Sequence, residues 1–178
     1  MARVTSGWQF SLSLAELIGL AIWIGGLTVI LTTVIPAVFN SLGMEQGGQF
    51  LRKVFDGYNN LTSGIVVVLL GTAALRTWKF QYMPENILAV SRTEWALLLA
   101  LVCVTGLIVF FLGPKAIELQ ELAFMAETPE EKKPAYDAFF RTHMIVRALH
   151  LINGGLAISI LVVKFRQWVR YRAAFGFE

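Results

Sequence analysis

The sequence contains few of the residues that most enzymes use for their chemistry. It has one cysteine, Cys103, and two histidines, and 15% of its 178 residues are charged. A single cysteine excludes an internal disulfide and leaves no second thiol to share a metal ion. The sequence has no Ser/His/Asp motif and no glycine-rich phosphate motif. Soluble domains carry about 25% charged residues, so this composition excludes an ordinary soluble enzyme.

Hydrophobic residues make up 56% of the chain, and the mean hydropathy is +0.64. They collect in four uncharged runs: Leu17–Met44, Gly57–Leu75, Trp95–Pro114 and Ala148–Val163. A transmembrane helix needs about 20 mostly apolar residues, whereas the strands of a membrane β-barrel alternate polar and apolar positions. We therefore predict an all-α, integral membrane four-helix bundle that forms a single domain over residues 1–178. The predicted spans are 13–38, 58–78, 93–113 and 145–166.

The distribution of basic residues predicts the orientation in the membrane. With four spans, both termini and the loop between the second and third helices lie on one side. That side carries Arg3, Arg76, Lys79, Arg92, Lys164, Arg166, Arg170 and Arg172. Basic residues favour the cytoplasmic side. We therefore expect a multi-pass bacterial inner-membrane protein with cytoplasmic termini. Its basic residues do not form a recognisable nucleic-acid-binding motif, so we expect no nucleic-acid partner. The expected partners are the lipid bilayer and other membrane proteins.

The sequence also predicts two tandem helical hairpins that repeat the same pattern, with a polar or amphipathic segment inside each copy. Aligning the glycines near the start of the second and fourth helices pairs Asn60 with His150 and Ser63 with Asn153. The second copy has an insertion around residues 127–137, and the start of that insertion is typical of a helix N-terminus. The amphipathic segment of the first copy, residues 45–58, either lies in the membrane interface or packs on the end of the bundle.

Small residues recur at helical spacing in several spans and predict seams where helices pack closely. The stripe in the first span is Glu16, Gly19, Trp23, Gly26, Ile30 and Thr33. The stripe in the second span is Gly64, Val67, Gly71 and Ala74, and the fourth span contributes Gly154 and Ala157.

Glu16 is unusual because it lies about one turn inside the first span. An ionised carboxylate there costs a few kcal/mol unless it is paired, protonated or near water. One interpretation is an interfacial glutamate paired with Arg76, Arg92 or Arg166. The other is a functional group, such as a proton relay, a metal ligand or a counter-ion.

At the opposite end of the bundle, polar residues open the second and fourth helices. The candidate cofactor-binding residues are His150, Asn153, Asn60, Ser63 and Arg147. They form either an interhelical hydrogen-bond cluster or a site for a small ligand. The other histidine, His143, is about 10 Å from His150 along a helix, which is too far to share one metal ion. Glu16 and His150 are thus the only candidate metal ligands. The sequence requires no cofactor, with haem b or copper as the alternative.

Three segments resemble a known family. Residues 23–26 (Trp-Ile-Gly-Gly) and 36–39 (Pro-Ala-Val-Phe) are similar to the first half of the domain-of-unknown-function 4149, or transmembrane protein 205-like, proteins. Residues 147–153, with His150 and Asn153, are similar to the opening of that family's last helix. The resemblance implies four membrane helices and no settled activity. A fainter resemblance links the chain to copper-resistance D-like and HemJ-like proteins, which have a histidine where this chain has Glu16. That departure counts against a haem ligand in the first helix.

These observations favour a small integral membrane protein without intrinsic catalysis. We expect it to act as an accessory or scaffolding subunit of a larger membrane complex, or as a homo-oligomer. The alternative is a haem- or metal-handling redox protein that uses His150 and Glu16. A transporter would require several copies, because four helices rarely enclose a pathway alone.

Overall fold

The computed structural model describes residues 7–82, 89–126 and 128–175, and nearly all of them are helical. The helices are α1 (Gly7–Val29), α2 (Ile35–Tyr82), α3 (Arg92–Leu107), α4 (Gly113–Met125) and α5 (Pro129–Phe175). Three continuous helical stretches are long and apolar enough to cross a membrane: Phe10–Tyr82, Arg92–Met125 and Glu130–Val169. The chain therefore has the helical architecture of a multi-pass membrane protein, as the sequence predicts.

The first of these stretches contains a break at Gly43. Its backbone is non-helical, with φ 70° and ψ −170°, a conformation that is essentially restricted to glycine. The chain reverses direction around this region: Gly19 of α1 faces Ile65 of α2, and Gly26 faces Tyr58 further back along α2. The predicted spans 13–38 and 58–78 are thus antiparallel neighbours within one helical stretch.

Helix α5 packs antiparallel to α1. A Cβ atom added to Gly154 would lie 3.0 Å from Leu27, near the end of α1. Lys164, further along α5, contacts Glu16 nearer the start of α1. The close approach at Gly154 confirms the predicted packing seam in the fourth span, as do the buried Ala157 and Ile160. The apolar core lies between α1, α2, α3 and α5 and includes Leu20, Trp23, Leu27, Leu69, Leu98, Leu101, Ala157 and Ile160.

The two halves of the chain share an unusual local feature. A single π-helical turn at Ile30–Val34 precedes Pro36, and a second at Ile108–Leu112 precedes Pro114 at the same spacing. Proline lacks an amide hydrogen and crowds the preceding turn, and π-turns are one way that a helix absorbs such a disturbance. When the two halves are aligned on these prolines, most buried residues of α1 coincide with buried residues of α3, and Glu16 coincides with Glu94.

The burial pattern corrects the predicted register of the second helices. Residues that face the core in α2 include Thr62 and Ile65, and the corresponding core positions in α5 are His150 and Asn153. Asn60, which the glycine alignment pairs with His150, is exposed. The alignment was wrong because it matched glycines that face opposite ways: Gly64 is exposed, whereas Gly154 is buried.

The small-residue stripe of the first span is confirmed, since Glu16, Gly19, Trp23 and Ile30 are buried, although Thr33 at its end is exposed. The stripe predicted for the second span does not pack inside the chain. Gly64 and Gly71 have no atom of another residue within 4 Å of an added Cβ. The core side of α2 is instead formed by Thr62, Ile65, Leu69 and Thr72, about half a turn away.

Residues 45–58, which the sequence left between two interpretations, pack on the end of the bundle. Gly48 faces Gln120 of α4, and the Arg52 guanidinium lies 2.7 Å from the Glu121 carboxylate. The predicted insertion forms the first turns of α5. The Thr128 hydroxyl accepts a hydrogen bond from the Glu131 amide at 3.4 Å, as expected at a helix N-terminus. Glu127 lies outside the described residues.

Candidate functional site

Four charged side chains meet in the interior at the end of the bundle that holds Glu16. They are Glu16 of α1, Arg76 of α2, Glu94 of α3 and Lys164 of α5, and we call them the ionic cluster. Glu94 is 0% exposed and Glu16 2%, and both basic side chains are also buried. Each of four packed helical segments supplies one charge. The formal charges sum to zero when all four groups are ionised.

Lys164 and Arg76 each contact both glutamates. The Lys164 ammonium lies 2.7 Å from Glu94 Oε1 and 2.8 Å from Glu16 Oε2. The Arg76 guanidinium lies 3.0 Å from Glu94 Oε1 and 3.5 Å from Glu16 Oε1. Since each cation bridges two anions, the cluster links all four helical segments.

Neutral groups satisfy the remaining carboxylate positions. The Thr72 hydroxyl donates to Glu16 Oε1 at 2.6 Å, and the Gln167 amide donates to Glu94 Oε2 at 3.2 Å. Ser91, the residue before α3, accepts a hydrogen bond from the Glu94 backbone amide at 3.1 Å. This side-chain cap fixes the first turn of α3 and thus the position of the Glu94 carboxylate. All four carboxylate oxygens of the cluster accept a hydrogen bond or contact a cation.

The prediction that Glu16 pairs with a basic residue of its own membrane face is confirmed for Arg76. Arg92 and Arg166, the other predicted partners, are exposed. Lys164, another basic residue on that face, also pairs with Glu16, which the sequence does not predict. Its side chain turns inward because two buried carboxylates lie within reach, and an unpaired carboxylate is costly in an apolar interior.

Sequence reasoning missed Glu94 and Lys164 as interior residues, although the sequence holds a signal for each. Lys164 continues the spacing of three and four residues that joins His150, Asn153, Ala157 and Ile160 on the core side of α5. Glu94 follows a serine by three residues, a pattern typical of a helix start. Such a pattern predicts where α3 begins, but it does not predict that the glutamate points inward.

The ionic cluster also bears on the predicted orientation. Arg76 and Lys164 are two of the eight basic residues counted on the cytoplasmic side, and both are paired in the interior rather than facing lipid headgroups. The set of basic residues that supports this orientation therefore loses two members. Arg3, another member, lies outside the described residues, and the cytoplasmic placement of the termini stays a prediction.

A second polar group lies at the other end of the core, on α5. His150 is 5% exposed and Asn153 is 3% exposed. The Asn153 amide donates to the Thr105 hydroxyl of α3 at 3.1 Å. The His150 ring packs against the rings of Phe55 and Tyr58, with centroid distances of 5.3 and 6.0 Å. We call His150 and Asn153 the His–Asn pair.

The other residues predicted for this polar group do not join the His–Asn pair. Asn60 and Arg147 are exposed, so they lie on the outside of their helices. Ser63 is half-buried, and its hydroxyl donates to the Asn59 carbonyl of its own helix at 2.7 Å. The sequence does not predict that Tyr58 and Thr105 belong to this group. The Tyr58 ring packs against His150, and the Thr105 hydroxyl accepts a hydrogen bond from Asn153.

Comparison with known proteins agrees with the sequence resemblance. The model of the family described as a domain of unknown function (DUF4149) matches residues 18–124. The chain belongs to the DUF4149 family. The match includes α2, α3 and most of α4, and it ends before α5, so the His–Asn pair and Lys164 lie outside the matched residues of this DUF4149 protein. No curated protein and no solved structure matches the chain.

The candidate metal ligands of this DUF4149 protein do not form one site. Glu16 contacts Lys164, which follows His150 by almost four turns of α5, a distance of about 21 Å at 1.5 Å per residue. Within residues 7–82, 89–126 and 128–175, no group of three His, Cys, Asp or Glu side chains is arranged to hold a metal ion. The two Glu16 oxygens are already engaged by Thr72, Arg76 and Lys164.

Proposed function

We propose that this chain crosses the membrane four times and acts as a non-catalytic accessory subunit of a larger membrane assembly. The observation that carries the proposal is an outer face of α2 that nothing in the described chain covers. Its members are Asn60, Gly64, Val67, Gly71, Ala74 and Trp78, all exposed and all on one side of the helix.

The contacts between the two parts of the first helical stretch support four crossings. Glu16 contacts Arg76, so the start of α1 and the end of α2 lie at the same end of the bundle. A chain that leaves this end and returns to it crosses the apolar layer twice. Helices α3 and α5, which meet through Glu94 and Lys164, supply the other two crossings.

The outer face of α2 has the composition that membrane helices use for close packing. Lipid provides no hydrophobic driving force for the association of helices. Contacts between membrane helices therefore favour small residues, which allow a neighbouring backbone to approach closely. Inside this chain, Gly19 and Gly154 act in this way, with an added Cβ only 3.0 Å from the facing side chain. Gly64 and Gly71 have the same character but no facing residue, which supports a partner helix as their neighbour.

The ionic cluster supports a structural role for the charged residues. Its carboxylates are neutralised by Arg76 and Lys164 and hydrogen-bonded by Thr72 and Gln167. A general base or a metal ligand needs a free lone pair directed at its target. Carboxylates held in this way instead fix the relative positions of the helices.

The test compares the wild-type protein with a variant that blocks the outer face of α2. In Gly64→Leu/Gly71→Leu, bulky side chains prevent a partner backbone from approaching. Gly25→Leu is the matched control, because Gly25 is also exposed with nothing within 4 Å of an added Cβ but lies on α1. Each protein is purified from its native membrane in a mild detergent, and its mass and companions are measured by light scattering and mass spectrometry.

We expect the wild type and Gly25→Leu to purify with a companion subunit or a second copy, and Gly64→Leu/Gly71→Leu to purify as a monomer. A second copy in place of a different subunit would identify the assembly as a homo-oligomer. A wild-type protein that purifies as a lone monomer would contradict the proposal.

A further inference from the structure

The His–Asn pair contains two buried polar atoms that nothing in the described part of the chain engages. They are His150 Nε2 and Asn153 Oδ1. Buried polar atoms in proteins are almost always hydrogen-bonded, either to protein groups or to a bound molecule. In the ionic cluster of this same protein, the buried carboxylate oxygens all have partners. The His–Asn pair is therefore exceptional within its own fold.

The first half of the chain indicates that the fold does not require an imidazole and an amide at these positions. At the equivalent core positions of α2, the chain carries Thr62 in place of His150 and Ile65 in place of Asn153. Thr62 satisfies its hydroxyl locally by donating to the Asn59 carbonyl at 3.1 Å. Because the first half packs the same positions with no unsatisfied amide or imidazole, a reason other than packing is needed for the His–Asn pair.

The chemistry of the two atoms defines what they bind. A carbonyl oxygen such as Asn153 Oδ1 only accepts hydrogen bonds, so the ligand must carry a donor. A neutral imidazole nitrogen either donates or accepts, so the same ligand atom can also bond to His150 Nε2. The pair faces Phe55, Tyr58 and Thr105, which are uncharged. One uncharged atom that donates to the amide while bonding to the imidazole is a hydroxyl oxygen.

We propose that His150 Nε2 and Asn153 Oδ1 together bind one hydroxyl oxygen in the core of the bundle. Two sources supply this chemistry: a buried water molecule, or the hydroxyl group of a membrane-soluble phenol or alcohol. A water molecule needs little space and requires two to four polar partners, which the pair and its neighbours provide. A phenol would also stack against the two aromatic rings beside His150.

The experiment observes the His150 ring directly in full-length protein reconstituted in lipid nanodiscs. Histidine is isotope-labelled, and His143 serves as the internal reference, because its ring packs against Phe139 instead. Magnetisation transfer from water reports a long-lived buried water. Tetramethylhydroquinone is then added as the phenolic probe, and its dimethyl ether, which lacks the donor, is the matched control.

The variant Asn153→Ile, which copies the residue at the equivalent position in the first half, removes the acceptor. Asn40→Ile is its control, because it makes the same chemical change at an exposed position. The wild-type measurement is decisive by itself if Asn153→Ile fails to fold.

A water cross-peak on His150 that is lost in Asn153→Ile and kept in Asn40→Ile would support the water source. A shift of the His150 resonances by tetramethylhydroquinone, but not by its ether, would support the membrane-soluble source. The proposal is overturned if wild-type His150 shows no water cross-peak and its resonances are shifted either by neither compound or as strongly by the ether as by the hydroquinone.

Discussion

Replacing Lys164 by methionine is expected to destabilise the protein strongly, because this ammonium is the closest cation to both buried glutamates. It lies 2.7 Å from Glu94 and 2.8 Å from Glu16, and without it Arg76 alone faces two carboxylates at 3.0 and 3.5 Å. Methionine keeps most of the length of the side chain, so the change removes charge rather than volume. Removing one partner of a buried ion pair costs about 3–5 kcal/mol. We expect a loss near the lower value, about 3 kcal/mol, because Arg76 still neutralises one carboxylate.

The free energy of unfolding is measured by titrating SDS into detergent micelles and following the fluorescence of the five tryptophans. Lys115→Met is the control, because Lys115 makes an exposed ion pair with Glu118 at 2.9 Å, and exposed pairs contribute about 0–1 kcal/mol. The double variant Lys164→Met/Glu16→Gln restores neutrality and leaves the Arg76–Glu94 pair. It should recover about 0.5–3 kcal/mol relative to the sum of the single changes. If Lys164→Met is as mild as Lys115→Met, or the double variant is merely additive, the charges of the ionic cluster do not stabilise the fold together.

Two further predictions concern the backbone and the core. Gly43→Ala should lower the free energy of unfolding by about 1–3 kcal/mol, because alanine is strained at φ 70° and ψ −170°, whereas Gly25→Ala on an open helix face should be neutral or stabilising. Equal effects in the same SDS titration would contradict the glycine-specific turn. Tyr58→Phe should cost about 1 kcal/mol, because it removes the buried hydrogen bond from the tyrosine hydroxyl to the Trp23 carbonyl at 3.0 Å. A loss above about 3 kcal/mol would mean that the ring itself had moved.

The sequence predicts the helical membrane architecture because that prediction depends on uncharged length alone. It also predicts the core side of α1, where Gly19 and Trp23 recur at helical spacing beside Glu16, and both are buried. Each of these features is local, so hydropathy and periodicity are sufficient to predict it. The same topology places the three predicted arginine partners at the end that holds Glu16. Charged groups in an apolar interior require a partner, and the structure selects Arg76 among these three.

The rotation of α2 about its axis is not predicted correctly, because several faces of this helix are apolar enough to be buried. The glycine stripe with Gly64 and Gly71 satisfies the rule for a packing seam, yet Thr62 and Ile65 face the core instead. Lys164 is long enough to reach either the membrane surface or the interior, and only the position of Glu94 decides between them. Such choices depend on contacts between distant segments, which the pattern within one helix does not contain.

We propose that the chain crosses the membrane four times around the ionic cluster, and the accessibility of single cysteines from the two sides of the membrane tests these crossings. In a Cys103→Ser background, cysteines are placed at the exposed positions Met44, Tyr82 and Met125, with Phe10 as the reference, and intact cells are treated with a membrane-impermeant maleimide. Because the Glu16–Arg76 contact holds the start of α1 and the end of α2 together, we predict that positions 10 and 82 label alike and that positions 44 and 125 label oppositely to them. Opposite labelling of positions 10 and 82 would mean that Phe10–Tyr82 crosses the membrane once, which would contradict the account.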